Sequence, residues 1–175
     1  APSTPPFLPL PPAPPLPPSQ PLPLILATEG VLTPPMVVSA DHIGIPIGAG
    51  SGGSEMEPDA GRAMYVITAA SNTTVSIELE IRMPNARAAG IRDSYFLWMD
   101  DGQPELWSTE IAAGFAWQPR SFTVTAGLHD FYVGAREDGA QLRALRIASG
   151  DATFMVSPPS PPPSPPPPPP PSPPP

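Results

Sequence analysis

The sequence predicts an all-β fold, an antiparallel jelly-roll β-sandwich flanked by two polyproline II tracts. Three observations carry this expectation. Proline supplies 34 of the 175 residues, and 27 of those lie in the terminal stretches 1–24 and 157–175, which leaves the middle to build the core. Segment 75–82, VSIELEIR, alternates without a break, with Val75, Ile77, Leu79 and Ile81 on one side and Ser76, Glu78, Glu80 and Arg82 on the other, the period of a half-buried strand. Short apolar runs recur between turn residues, and no stretch holds a helical period over three turns.

The first element is an apolar proline-rich arm, residues 1–24. Proline fixes φ and pushes its predecessor toward extended geometry, so such a run is a polyproline II rod. A solvated linker would space its prolines with Ser, Thr, Glu or Lys, whereas this arm uses Phe7, Leu8, Leu10, Leu16, Leu22 and Leu24. It is expected to lie against an apolar surface.

Residues 25–156 form the sandwich domain and hold all three Trp, all three Tyr and five of the six Phe. Beyond 75–82, strands are expected at 63–67 (AMYVI), 94–99 (SYFLWM), 105–108 (ELWS), 121–126 (SFTVTA), 129–135 (HDFYVGA) and 142–148 (LRALRIA). Turns fall at Asp100 to Gly102, Ala126 to Leu128 and Glu137 to Gly139, where Asp and Gly tolerate tight geometry. In SYFLWM the inward phase is Tyr95, Leu97 and Met99, which leaves Phe96 and Trp98 outward, with Tyr132 of the later strand beside them. Outward aromatics need cover, so these three, with Phe7, Leu8, Leu10 and Leu16 of the arm, are candidates for an assembly interface between copies.

The third element, residues 157–175, contains only Ser and Pro. At about 3.1 Å per residue a polyproline II rod from Pro158 to Pro175 would reach roughly 55 Å. This tract resembles the hydroxyproline-rich glycoproteins of algal and plant walls, of the pherophorin and extensin kind. The resemblance implies secretion, prolyl hydroxylation and O-glycans, with Ser160, Ser164, Ser172, Pro161, Pro162, Pro165 and Pro166 among the acceptors. Separately, Asn72 opens an Asn-Thr-Thr sequon for an N-glycan.

Composition excludes several classes. There is no cysteine and no lysine, and the formal net charge is −8. The chain therefore has no disulfide framework or thiolate nucleophile, and no basic patch for nucleic acid or anionic lipid. No apolar run approaches a membrane span, and the start at Ala1 reads as that of a mature, processed chain. These features are compatible with the extracellular location that the resemblance of the tail to wall glycoproteins implies.

Within 25–156, the stretches EGVLTPPMVVSAD (29–41), DSYFLWMDDG (93–102), LWS, FAWQ and TAGLHDFYVGAREDGAQLRALRIASGDATF (125–154) stand in an order that resembles the jelly-roll carbohydrate-binding modules of families six and thirty-five. The resemblance implies glycan binding through aromatics, here Trp107 and Trp117, and a structural calcium held by early glutamates and a late aspartate, matched here by Glu29 and Asp151. Only one early glutamate is present, because Leu26, Ala27 and Thr28 precede Glu29.

No enzyme is expected and no cofactor is required. Asp93, Asp100, Asp101, Glu137 and Asp138 fall in turns or at strand ends, where carboxylates are solvated. His129 shares the inward phase with Phe131 and Val133 and reads as a core histidine, far from His42. Two functions remain open. The first is an extracellular structural glycoprotein, a self-assembling subunit of a wall, matrix or surface fibril whose partners are copies of itself. The alternative is a lectin-like carbohydrate-binding module tethered by proline-rich linkers, whose partners are glycans.

Overall fold

The computed structural model describes residues 22–46, 48–49, 61–83, 94–108, 114–134, 136–137 and 139–155. The assembly candidates Phe7, Leu8, Leu10 and Leu16, all the tail acceptors, Asp93 and Asp138 lie outside the described residues. The chain runs through β1 (Leu24–Leu26), a 3-10 turn (Ala27–Glu29), β2 (Val31–Thr33), β3 (Val37–Ser39), β4 (His42–Gly44), β5 (Arg62–Ala69) and β6 (Thr73–Arg82). It continues through β7 (Ser94–Met99), β8 (Glu105–Ser108), β9 (Ala116–Val124), β10 (Gly127–Gly134), β11 (Gln141–Ser149) and β12 (Ala152–Met155).

Two antiparallel six-stranded sheets result. The first has the order β3-β4-β11-β6-β9, with β1 also on β11, and the second has the order β12-β5-β10-β7-β8, with β2 also on β5. This is the predicted sandwich. The longest strand, β6, keeps its alternation along its whole length and buries Val75, Ile77, Leu79 and Ile81 against the second sheet. That sheet contributes Tyr65, Ile67, Leu97, Phe131 and Val133 to the same core, and Phe122 meets Phe131 edge-on at 5.3 Å. Full burial of each such side chain contributes about 1.5–3 kcal/mol.

Proline and glycine mark positions where geometry is tight. Pro119 sits in edge strand β9 opposite Glu78, where a ring without an N–H costs no ladder bond on the open side and blunts the edge against further pairing. Gly150 joins β11 to β12 at φ +102°, and a Cβ there would lie 2.8 Å from the carbonyl oxygen of Thr74.

The structure corrects the expectation for Phe96 and Trp98. Both occupy the outer phase of β7, yet they are only 1 % and 7 % exposed. Trp98 stands opposite Tyr132 in the β7–β10 ladder, and the two rings stack at 4.8 Å with planes 7° apart. Arg62 lies over the Tyr132 ring at 5.5 Å. Phe96 stands opposite Gly134, which has no side chain to hold it off the sheet. The cover that strand alternation left open is thus supplied within one chain.

A second correction concerns Glu137. It pairs with Arg136, whose guanidinium also donates to Ser94 Oγ, and Ser94 and Arg136 are both buried. Glu137 is therefore a partnered, sheltered carboxylate rather than a solvated turn residue.

Candidate functional site

The outer face of the first sheet brings together the residues best suited to a ligand. Strand β6 presents Glu78, Glu80 and Arg82 outward because their neighbours Ile77, Leu79 and Ile81 are taken by the core. Strand β9 lies beside it in register, so Trp117 is directly opposite Glu80 and Pro119 opposite Glu78. On the other side of β6, Gln141 of β11 stands opposite Arg82 and Arg146 opposite Glu78. A register shift between Leu142 and Ala144 inserts Arg143 as an extra residue, and its side chain joins this face.

These groups hold one another in place. Arg143 Nε donates to Glu80 Oε2 at 2.8 Å, and its Nη2 donates to the second oxygen of the same carboxylate. Arg146 Nε donates to Glu78 Oε2 at 2.5 Å. Arg82 donates through Nε and Nη2 to Gln141 Oε1, at 2.8 and 2.5 Å. Bidentate contacts to planar acceptors fix a guanidinium in one orientation.

Aromatic rings sit on those guanidinium groups. Arg146 Cζ is 4.2 Å from the Trp117 ring centre, and Phe115, one residue ahead of β9, has Arg143 at 4.4 Å and Arg82 at 4.9 Å. His42 of β4 approaches the Phe115 ring at 6.0 Å and is hydrogen-bonded to Asp41, whose carboxyl it holds below the usual carboxylate range. Flat apolar faces beside oriented donors and acceptors suit a polyhydroxylated ring, which offers C–H faces for stacking and hydroxyls for hydrogen bonds.

Of the two tryptophans expected to bind glycan, only Trp117 lies on this face. Trp107 pairs with Tyr95 on the inner face of β8, is 8 % exposed and belongs to the core. Its inward phase, alternating with the exposed Leu106 and Ser108, leaves no indole face for a ligand. The structure adds Phe115, His42, Arg82, Arg143 and Arg146. One sequence signal for Phe115 is that it shares the period-two phase of Trp117 and Pro119 within FAWQP.

The calcium ligands implied by the family resemblance do not converge. Glu29 precedes the β2 segment in which Val31 pairs with Met64, whereas Asp151 precedes Ala152, which pairs with Ala69 further along β5. Asp151 accepts from Ser71 Oγ at 3.3 Å, and no three acidic or histidine residues gather as a metal site among the described residues. A hard cation needs six or more oxygens, so these two residues do not fit one. Where the early segment meets β5, Tyr65 Oη donates to the carbonyl of Ala27 at 2.9 Å.

His129 and Asp100 form a hydrogen-bonded pair, while Asp101 is exposed in the turn after β7. Asn72 is exposed in the β5–β6 turn, its Oδ1 accepting from the N–H of Ala126 at 2.9 Å. No helix among the described residues is long and apolar enough to cross a membrane.

No protein-family model and no curated protein matches the chain. Solved structures share its fold. A family 35 carbohydrate-binding module from an environmental isolate is 15 % identical with a TM-score of 0.50, the match covering 74 % of this chain and 89 % of that one. The CBM35 from Paenibacillus barcinonensis is 9 % identical with a TM-score of 0.52, covering 73 % and 98 %. A family GH115 4-O-methyl-α-glucuronidase with specificity for decorated arabinogalactans is 13 % identical with a TM-score of 0.56, covering 75 % of this chain but only 18 % of the enzyme. The domain therefore has the jelly-roll fold of the family 35 carbohydrate-binding modules. That fold occurs both as a separate module and as a small part of a larger enzyme.

Proposed function

We propose that the sandwich is a non-catalytic carbohydrate-binding module that takes glycan on the outer face of its first sheet. The observation that carries this reading is the pair of rings, Trp117 and Phe115, held on hydrogen-bonded guanidinium groups in a fold shared with carbohydrate-binding modules. Among the described residues the face shows no serine hydrogen-bonded to a base, and its carboxylates Glu78 and Glu80 are each committed to an arginine. The proline-rich arm and the Ser/Pro tail suit a secreted protein in which the module is displayed on stiff, glycosylated spacers.

Affinity electrophoresis and calorimetry against a panel that includes arabinogalactan, galactan, mannan and xylan test this. Binding to at least one polymer is expected, with Trp117→Ala weakening it at least tenfold, about 1.4 kcal/mol, at an unchanged melting temperature. Wild-type affinity in Trp117→Ala would remove the site, and release of reducing sugar would remove the non-catalytic reading.

Assembly through the arm is a second reading, favoured by one observation. Leu22, Leu24 and Leu26, which continue the arm into β1, remain exposed. Electron microscopy of native protein beside a variant lacking residues 1–21 tests it, with filaments expected only from the former.

A further inference from the structure

If the first sheet binds glycan as proposed, we infer that its ligand is an extended, uncharged polysaccharide chain held along β9 by its internal units, not a chain end or a charged sugar. The strand pair β6 and β9 continues past the rings as a flat track. Trp117, Pro119, Ser121 and Thr123 face outward in succession, opposite Glu80, Glu78, Ser76 and Thr74. Over the seven residues from Trp117 to Thr123 an extended strand spans about 20 Å, enough for several sugar rings in line.

Side-chain bulk falls along the track, from indole to pyrrolidine to hydroxyl, and Pro119, Ser121, Thr123 and Thr74 are all exposed. A site for a chain end needs a wall against which the terminal sugar stops. Along this track, among the described residues, no outward side chain beyond Trp117 is larger than proline except Glu78, and Glu78 is folded onto Arg146.

Charge selects the ligand class. Arg82, Arg143 and Arg146 are balanced on the same face by Glu78, Glu80 and Asp41, the last of which acts electrostatically on Arg143. With cations and anions equal in number and mostly paired, the face offers fixed donors and acceptors without a net field. Hydroxyls satisfy such a surface, whereas a carboxylate or sulfate would meet Glu78 and Glu80 as readily as the arginines.

Ladders of β-1,3-galactan, β-1,4-mannan and β-1,4-xylan oligosaccharides, from one to six units, test the inference by calorimetry on the full chain. For the ladder that binds, affinity should rise at least tenfold from one unit to three or four and then level off. It should survive reduction of the reducing end, and it should change less than twofold between about 0.05 and 0.5 M salt, where screening lengths differ severalfold. Pro119→Arg, on the track but outside the ring cluster, should weaken the longer oligomers and leave the monosaccharide unaffected. A monosaccharide bound as tightly as the hexamer, loss of binding on end reduction, or steep salt dependence would overturn the inference while leaving glycan binding intact. No binding by any ladder would overturn the inference, and glycan binding with it if the polymer panel also fails.

Discussion

His129 is held between two acceptors. Its Nδ1 donates to Asp100 Oδ2 at 2.7 Å and its Nε2 donates to the carbonyl of Thr125 at 2.9 Å. Both partners offer acceptor oxygens, so the ring protonated at both nitrogens is the form that satisfies both contacts. The hydrogen bond to Asp100, then that to Thr125, raises its pKa above the ordinary value of about 6.5, against a smaller opposing effect of burial. A raised folded-state pKa contributes stability that is complete below the unfolded value and is lost as pH rises through the folded one. The melting temperature should therefore decline as pH climbs from about 6.5, and His129→Gln should remove that part of the profile. A wild-type profile in the variant would show that the pair is not charged. The side-chain oxygen of Asn72 is engaged by Ala126, while the amide nitrogen is the atom an N-glycan takes. Treatment of protein purified from its native source with peptide N-glycosidase is expected to lower its mass, and Asn72→Gln should abolish the difference.

Among the elements, the 3-10 turn between β1 and β2 is held by both a buried hydrogen bond and a close glycine contact. Ala27 is fully buried and its carbonyl accepts from Tyr65, whose phenol burial drives far above its ordinary pKa, so the hydroxyl stays a donor. Gly30 closes the turn against the same ring, and a Cβ there would lie 2.6 Å from Tyr65 Cε1. The ring is packed on Phe154 at 6.4 Å and cannot swing aside freely. Gly30→Ala should cost about 1–3 kcal/mol by overpacking and Tyr65→Phe about 1 kcal/mol. Urea titration measures both, as a lower midpoint at unchanged slope. The β6 alternation makes its outer face legible residue by residue. β9 is harder, because Trp117 near its start faces outward, as does Phe115 just ahead of it, while Phe122 and Val124 at its end face inward, so apolar residues occupy both phases. The short strands β1 to β4 are three residues each, too brief for periodicity to declare itself.

At the scale of the molecule, the ring cluster and the sequon stand apart along β6. Arg82 closes the strand beside Gln141 and Phe115, while Asn72 precedes its start. A glycan on Asn72 therefore leaves the rings accessible. The core is drawn from residues between Ile25 and Ile147, and the partly buried Phe154 packs against it. Removing 157–175 should then leave the melting temperature of the domain within about 1 °C, since a surface change away from core, caps and networks rarely exceeds a few tenths of a kcal/mol. Mass spectrometry of native protein is expected to find hydroxyproline and O-linked sugar in that tract. Unmodified proline throughout would sink the wall-glycoprotein resemblance.

Local patterns in the sequence determined which segments build the core and which face of β6, β7 and β10 turns inward. A period of two is a property of one strand, needing no knowledge of its neighbours. Composition separated the proline-rich stretches 1–24 and 157–175 from the rest for an equally local reason, since counting residue types needs no knowledge of neighbours. Only the tertiary structure decided what covers each outward face. Trp98 proved to be stacked on Tyr132 and not open to a partner, and Trp107 and Trp117, alike as letters, went to the core and the surface. The candidate site belongs to that second kind of information. Phe115, Arg143 and Arg82 come from three segments, and the register of β11 on β6, a residue out of step at Arg143, is what brings them together.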